Sequence, residues 1–274
     1  MNFDFSTVLV IAVAISGVIW LADVLVFKPK RIKGAESLKV LGGDELAITN
    51  QIKEPVMVEY ARSFFPVILV VLILRSFIVE PFRIPSGSMM PTLLSGDFIL
   101  VNKFDYGIRL PAINTKIFDL GNPQRGDIVV FRYPVNPSLD YIKRVVGLPG
   151  DTVTYRGKRI YINGEPVILT SLGEYVGVGE AAHMSGISHR YKEKLGDVEH
   201  DILTVGAKSA NTWSGIVPEG EYFVMGDNRD NSSDGRVWGF VPDENLVGRA
   251  FMIWMNWDSE LSRVSFERIG TIIE

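Results

Sequence analysis

The sequence predicts a mainly β chain: an antiparallel-sheet body carrying an inserted smaller β-rich domain, preceded by two transmembrane helices. Three observations carry this. The 274 residues are 47% hydrophobic yet 22% charged, and the mean hydropathy is +0.18, so the apolar residues are gathered into segments. Two such segments stand before Glu80. After Glu80 the chain turns to short β-branched or aromatic runs bounded by Gly, Pro and Asp, with no long helical period.

From Phe5 to Ala22 no charge occurs, and as a helix this run spans roughly 27 Å, close to a hydrocarbon core. It has no basic start, and Lys28, Lys30, Arg31 and Lys33 follow it in place of a small-residue cleavage site, so residues 5–27 read as a retained anchor. The second run, Ser63 to Val79, is broken only by Arg75, which must snorkel towards an interface. It reads as a second span over 63–79, although a buried helix of a soluble domain passes the same test. Between them, residues 28–62 carry Lys28, Lys30, Arg31, Lys33, Lys39, Lys53 and Arg62, whereas the first seven residues carry no basic group. The positive-inside rule places 28–62 as a cytoplasmic loop and everything after Glu80 on the far side.

Residues 80–274, with 20 basic and 25 acidic side chains, form an acidic body large enough to bury a core. Strands are expected at Asp97–Asn102, Asp127–Tyr133, Asp140–Leu148, Glu221–Met225 and Gly248–Trp254. Asn163-Gly164, centred in Arg159–Leu169, signals a tight hairpin turn. Residues 170–215, rich in Gly, Ser, Lys and Glu with weak periodicity, read as a looser appended region. The domains are thus a membrane anchor over 1–79, a core of 80–151 and 222–274, and an inserted accessory domain over 152–221.

The absence of Cys excludes a disulfide scaffold, a thiol enzyme and a cysteine zinc site. A net charge of −4 offers no basic stripe for nucleic acid. His183, His189 and His200 all fall in the loop-rich stretch at gaps that build no metal site; they read as solvated loop histidines. Asp230–Gly235 begins like a calcium loop, but its twelfth position is Val241, where a bidentate Glu is needed. Arg125-Gly126-Asp127 leads into Ile128-Val129-Val130-Phe131 and reads as a turn entering a strand. No Gly-x-Ser-x-Gly elbow, Ser-x-x-Lys or phosphate loop occurs.

The segment Ile84-Pro85-Ser86-Gly87-Ser88-Met89-Met90-Pro91-Thr92-Leu93 is different. Its prolines bar a helix, and Gly87 between two serines lets a foreign backbone approach. A serine nucleophile needs a base, and a lysine is the candidate: Lys143, on a strand where Tyr141 and Val145 share its face while Arg144 points away. A free lysine is neutral in only about 0.04% of molecules at pH 7, so burial must lower its pKa by ~2 to 3 units. Each feature alone also has a plain structural reading: a turn, an edge charge, an Asx-rich loop.

Four ordered motifs, however, resemble those of the bacterial type I signal (leader) peptidases, membrane-anchored Ser/Lys endopeptidases. They are Pro85–Leu93, Arg125–Phe131, Tyr141–Asp151 and Gly226–Arg236. With the two-anchor topology the resemblance covers nearly the whole chain; 152–221 matches least, and the lack of Cys departs from members that carry a disulfide there. The resemblance implies that Ser88 is the nucleophile and Lys143 the general base. Ser86 would donate to the oxyanion hole alongside the Ser88 N–H, Ser232 would hold the Lys143 amine, and Asp234 and Arg236 would brace the site as an ion pair. It implies no cofactor and no metal. The implied partners are exported preproteins cut after small residues, membrane lipid and the nearby protein translocation machinery, and the implied location is the outer face of the bacterial inner membrane. A tethered domain that only binds exported chains, and a self-cleaving repressor-like Ser/Lys protein, are the competing readings; 28–62 is too short and too poor in apolar residues for the DNA-binding module of the latter. Because only Glu80 to Ser86 separate the second anchor from Ser88, the nucleophile is expected within roughly 30 Å of the membrane. The run Phe251–Trp257 is expected to pack in the core or to dip its aromatic edge into the interface.

Overall fold

The computed structural model describes residues 5–111, 115–206, 212–259 and 262–273. It contains a helical N-terminal unit ending at Phe77 and a β body that starts at Ile78.

In the helical unit, α1 (Phe5–Ala22) runs through a π-helical turn, Asp23–Phe27, into α2 (Lys28–Val40). A short α3 (Glu45–Ile52) follows, then α4 (Val56–Ile73), which ends in a second π turn, Leu74–Ile78. Two of these stretches, Phe5–Val40 and Val56–Ile78, are long and apolar enough to cross a membrane. They pack on each other where Gly17 leaves room for the Phe65 ring and Trp20 meets the same ring at 5.4 Å. Their outer faces are apolar and exposed, as at Val18 and Leu25, the pattern of a surface meant for lipid. Arg75 lies over the Phe5 ring, and Asp23 pairs with Arg31 at 2.5 and 2.8 Å.

Three boundaries differ from the sequence reading. The second apolar helix begins at Val56, not Ser63, because Pro55 sits at the N-cap and the two turns after it, where the charges Glu59 and Arg62 break the apolar run, are already helical. Residues 28–62, expected as a loop, are mostly the helices α2, α3 and the start of α4. Val79, assigned to the anchor, opens the first strand. Apolar-run counting finds only the lipid-facing part of a helix and misses its polar ends.

The body begins with β1 (Val79–Arg83) and β2 (Asp97–Asn102), passes through a small hairpin of β3 (Ile108–Arg109) and β4 (Lys116–Phe118), and continues as β5 (Ile128–Arg132) and β6 (Asp140–Gly147). The next strands lie outside the main sheet: β7 (Thr152–Arg156), β8 (Arg159–Ile162), β9 (Glu165–Pro166), β10 (Ile168–Glu174), β11 (Ser188–Leu195), β12 (Val198–Val205) and β13 (Trp213–Ile216). The chain then returns through β14 (Glu221–Met225), β15 (Val241–Pro242), β16 (Leu246–Asp258) and β17 (Arg263–Val264). The main sheet is antiparallel in the order β1-β2-β16-β5-β6-β14-β15, with β17 on β16. One face packs through Ile99, Val101, Ile128, Val130, Ala250 and Ile253 and the other through Val129, Phe131, Val145 and Val224, so the central strands alternate between two buried faces. In β16 Ile253 is buried whereas Trp254 and Trp257 point outward.

At the β8–β9 turn Asn163 and Gly164 have φ of 53° and 88°, the left-handed pair that an Asn-Gly hairpin turn demands. The appended region is not loose. Residues 168–205 form an ordered sheet, β10-β11-β12, with an unbroken β11–β12 register from Ser188↔Val205 to Leu195↔Val198. The periodicity is hidden because the buried positions here include Ser188, Glu193, His200 and Thr204; polar groups that are buried in pairs leave no hydrophobic alternation to read.

Candidate active site

Ser88 sits in a single 3₁₀ turn, Gly87–Met89, just beyond β1. The turn is held from both sides. Its apolar residues Met89 and Leu93 are fully buried in the main core, and Asn228 clamps its backbone, donating from N to Ser88 O at 3.1 Å and from Nδ2 to Gly87 O at 2.9 Å. The adjacent Ile84 is zipped to β2 by Ile84 N to Asp97 O at 2.8 Å and Gly96 N to Ile84 O at 2.9 Å. The hydroxyl of Ser88 is thereby aimed from a fixed frame.

Lys143 lies on β6, opposite Val129 of β5. It is 4% exposed, and its Nζ donates to Ser88 Oγ at 2.9 Å and to Ile142 O at 2.8 Å. Burial lowers its pKa to about 8, against the smaller opposing pull of Asp234 and Asp227. The next residue, Arg144, points to the other face and is wholly buried. Arg144 makes a bidentate pair with Asp227, both bonds 2.9 Å, and donates to Gly126 O at 2.7 Å. Burial alone would raise the Asp227 carboxyl; the Arg144 guanidinium outweighs it and holds Asp227 below the usual carboxylate range. Thr92 donates to the same carboxylate at 2.5 Å, linking the pair to the loop that carries Ser88.

The remaining sequence-derived residues fall around this centre with different contacts. Ser86 donates its hydroxyl towards Ser88 Oγ at 3.5 Å, long for a hydrogen bond. Asp234 accepts from Arg236 Nε and NH2, both at 2.8 Å, and from Gly226 N at 3.0 Å. Arg236 donates onward to Arg229 O at 2.5 Å and stacks over Tyr155. Ser232 Oγ is buried beside Gly226 but has no hydrogen-bond partner among the described residues; the bond to Lys143 that the resemblance implies is not made here.

Of the three histidines only His183 is the solvated residue expected: it is exposed on a 3₁₀ turn, Gly179–Met184, and lines the cavity on which Ser88 opens. His189 is half-buried on β11, 2.8 Å from Ser171 Oγ. His200 is buried on β12, its Nε2 3.3 Å from Glu193 and 3.8 Å from Asp227 without hydrogen-bond geometry; burial and the nearby Arg144 lower its pKa. Glu193 in turn is bonded bidentately to the buried Arg229, at 2.7 Å through Oε1. Sequence reasoning missed Asn228, Arg144, Asp227, Glu193 and Arg229 as organisers of the site. The signal for Asn228, Asp227 and Arg229 was their place in Gly226–Arg236; for Glu193 none existed.

Ser86, Ser88 and Lys143 open on a cavity of about 680 Å³, with Tyr141 and Asp140 on one wall and Met184 and Asn231 on another. A buried, neutralisable amine in contact with a serine hydroxyl, at the floor of a groove wide enough for a peptide, is a device for acyl transfer.

The signal peptidase family, peptidase S26, matches residues 57–257. Signal peptidase I of Pseudomonas fluorescens is 50% identical, with 99% of this chain and 100% of that protein covered. Signal peptidase I of Pseudomonas aeruginosa is 49% identical over the same shares. A crystal structure of a signal peptidase I from Enterococcus faecalis shares 34% identity, covering 47% of this chain and 96% of that one, with a TM-score of 0.28. The catalytic-turn and Gly226–Arg236 segments lie inside the matched stretch, and the chain belongs to the signal peptidase family, peptidase S26, as a bacterial type I signal peptidase.

Proposed function

We propose that this chain removes N-terminal signal peptides from exported preproteins on the outer face of the bacterial inner membrane, with Ser88 as nucleophile and Lys143 as general base. The observation that carries the proposal is the 2.9 Å contact between a buried Lys143 Nζ and Ser88 Oγ. Neutral Lys143 takes the Ser88 proton as Oγ attacks the scissile carbonyl. The oxyanion that forms is met by the Ser86 hydroxyl and the Ser88 N–H, and Lys143 returns the proton to the leaving amine. Water then gives a proton to Lys143 as its oxygen attacks the acyl carbonyl; the bond from Ser88 Oγ to the acyl carbon breaks, Lys143 returns the proton to Oγ, and the acid product leaves. The Asp234–Arg236 pair fixes the loop that carries Ser232, whose buried, unbonded hydroxyl would position the amine once it turns to Lys143.

The substrate lies as an added strand. β14 pairs with β6 only from Arg144 onward, so among the described residues no strand pairs with Tyr141–Lys143 on that side, the arrangement on which an extended peptide is captured by main-chain bonds. The two apolar helices anchor the enzyme, 28–62 faces the cytoplasm, and the core of 80–151 and 222–274 with its insert 152–221 stands on the far side near lipid and the translocation machinery.

The test is cleavage in trans of a preprotein by the detergent-solubilised protein. Preproteins with Ala one and three positions before the bond are expected to be cut, and Phe at either place to lower kcat/KM by about 100-fold or more, the order that a pocket built for a methyl imposes. Equal cutting of both would remove the small-residue specificity, and binding without cutting would leave a tethered binder.

The pH dependence has a defined sign. Lys143 works when neutral and has a pKa of about 8, so kcat/KM falls about tenfold for each unit below pH 8 and levels off above it. A profile flat between pH 6 and 8 would remove Lys143 as base.

A further inference from the structure

Beside the catalytic cavity lies a second one of about 680 Å³. Ser95 lines both, so the two are neighbouring parts of one groove. The segment Val178–Met184 walls both as well: Val178 borders the second cavity, and Met184 borders the first. Arg263, Val264 and Phe266 line the second cavity together with Val178.

This second part is a built feature. Its floor is braced by Asp97, fully buried, which accepts from Asn256 at 2.8 Å and from Arg268 at 2.8 and 2.6 Å. Among the described residues β17 pairs only with β16, through Trp257↔Val264 and Asp258↔Arg263, so β17 presents a strand edge. Val178 and Phe266, 78% and 77% exposed, set apolar groups at the rim, whereas Asp258, Arg263 and Glu267 bring both signs of charge. A strand edge with mixed charge and scattered apolar contacts suits an extended polypeptide of varied sequence, and it suits no single small molecule.

We propose that the second cavity holds the leaving-group side of the substrate, the first residues of the mature protein. The inference rests on the peptidase reading above. The edge Tyr141–Lys143 takes the residues before the bond and ends at Lys143 and Ser88, and Ser95, which lines both cavities, continues the groove from there. Mature N-termini share no sequence, so a backbone edge is the recognition they allow.

The test uses the full-length enzyme in detergent and two peptides identical up to the scissile bond, one ending just after it and one continuing for about eight residues, roughly 26 Å of extended chain. The longer peptide is expected to show about tenfold higher kcat/KM. Val178→Trp, which fills the cavity from an exposed position, is expected to erase that gain and leave the short peptide within about twofold; Val178→Ala is expected to keep it. A gain that persists in Val178→Trp, an equal loss on both peptides, or no gain in the wild type would overturn the assignment while the cut short peptide leaves the peptidase reading standing. If the wild type cuts neither peptide, both fall.

Discussion

Ser88→Ala and Lys143→Ala each lower preprotein cleavage by about 10⁴-fold or more, because nucleophile and base act as a unit and loss of either removes most of what both supply. Lys143→Arg fails equally: a guanidinium stays protonated at any working pH, and it is too large for a site that leaves Lys143 4% exposed. These losses come without unfolding. The Ser88 backbone is held by Asn228 and by the burial of Met89, none of which needs its hydroxyl. Removing Lys143 relieves strain on the fold. Its folded pKa of about 8 lies below the 10.5 of a free lysine, so at pH below 8 the native state carries a proton in a site that prefers none, a cost of about 3 kcal/mol that disappears as pH rises from about 8 to 10.5. Lys143→Met is therefore expected to melt higher than wild type at pH 7 and to lose that advantage by pH 10, read by thermal denaturation beside kcat/KM. Turnover that survives in a pure Ser88→Ala preparation would rule out Ser88 as nucleophile.

The second large effect is on stability. Asp227→Ala strands the Arg144 guanidinium in the interior, where it is 0% exposed, and breaking a buried pair in this way costs about 3 to 5 kcal/mol. For a body of this size that is a fall in Tm of about 10 °C. Arg144→Lys rescues little, because an ammonium replaces neither the bidentate bond to Asp227 nor, with it, the bond to Gly126 O. Arg144→Met combined with Asp227→Leu recovers most of the lost stability, since no charge is left unpaired. Activity stays low in that double variant: Thr92 loses its acceptor, and Thr92 belongs to the loop that carries Ser88. Because the Asp227 carboxyl is held below its ordinary pKa, the stability it contributes is present above about pH 4 and is lost as pH falls through its depressed folded value. A Tm unchanged by Asp227→Ala would show the pair to be energetically idle.

Much of the site was legible because local chemistry writes itself into local sequence. Two prolines around Ser86-Gly87-Ser88 mark a presented turn, and a lysine between Tyr141 and Val145 on a strand marks a face that can be desolvated. What stayed illegible depended on pairing across the chain. His200 looked like a loop residue because its neighbours in sequence are charged, yet Glu193 and Asp227 meet it from β11 and from the segment after β14. The strands β10–β12 looked irregular for the same reason: their buried positions include polar groups such as Glu193, which pairs with Arg229 from another segment.

By itself the sequence determined the apolar anchors, the β character of the body and the residue types at the catalytic turn, because hydropathy, strand alternation and proline geometry act within a few residues. Only the tertiary structure decided that Lys143 reaches Ser88 across 55 positions, that Arg144 closes on Asp227 across 83, and that both lysine and arginine are dry. Burial is a property of what packs on a residue from elsewhere, and the same burial that strips water from Lys143 brings its amine to a pKa at which it can act as a base.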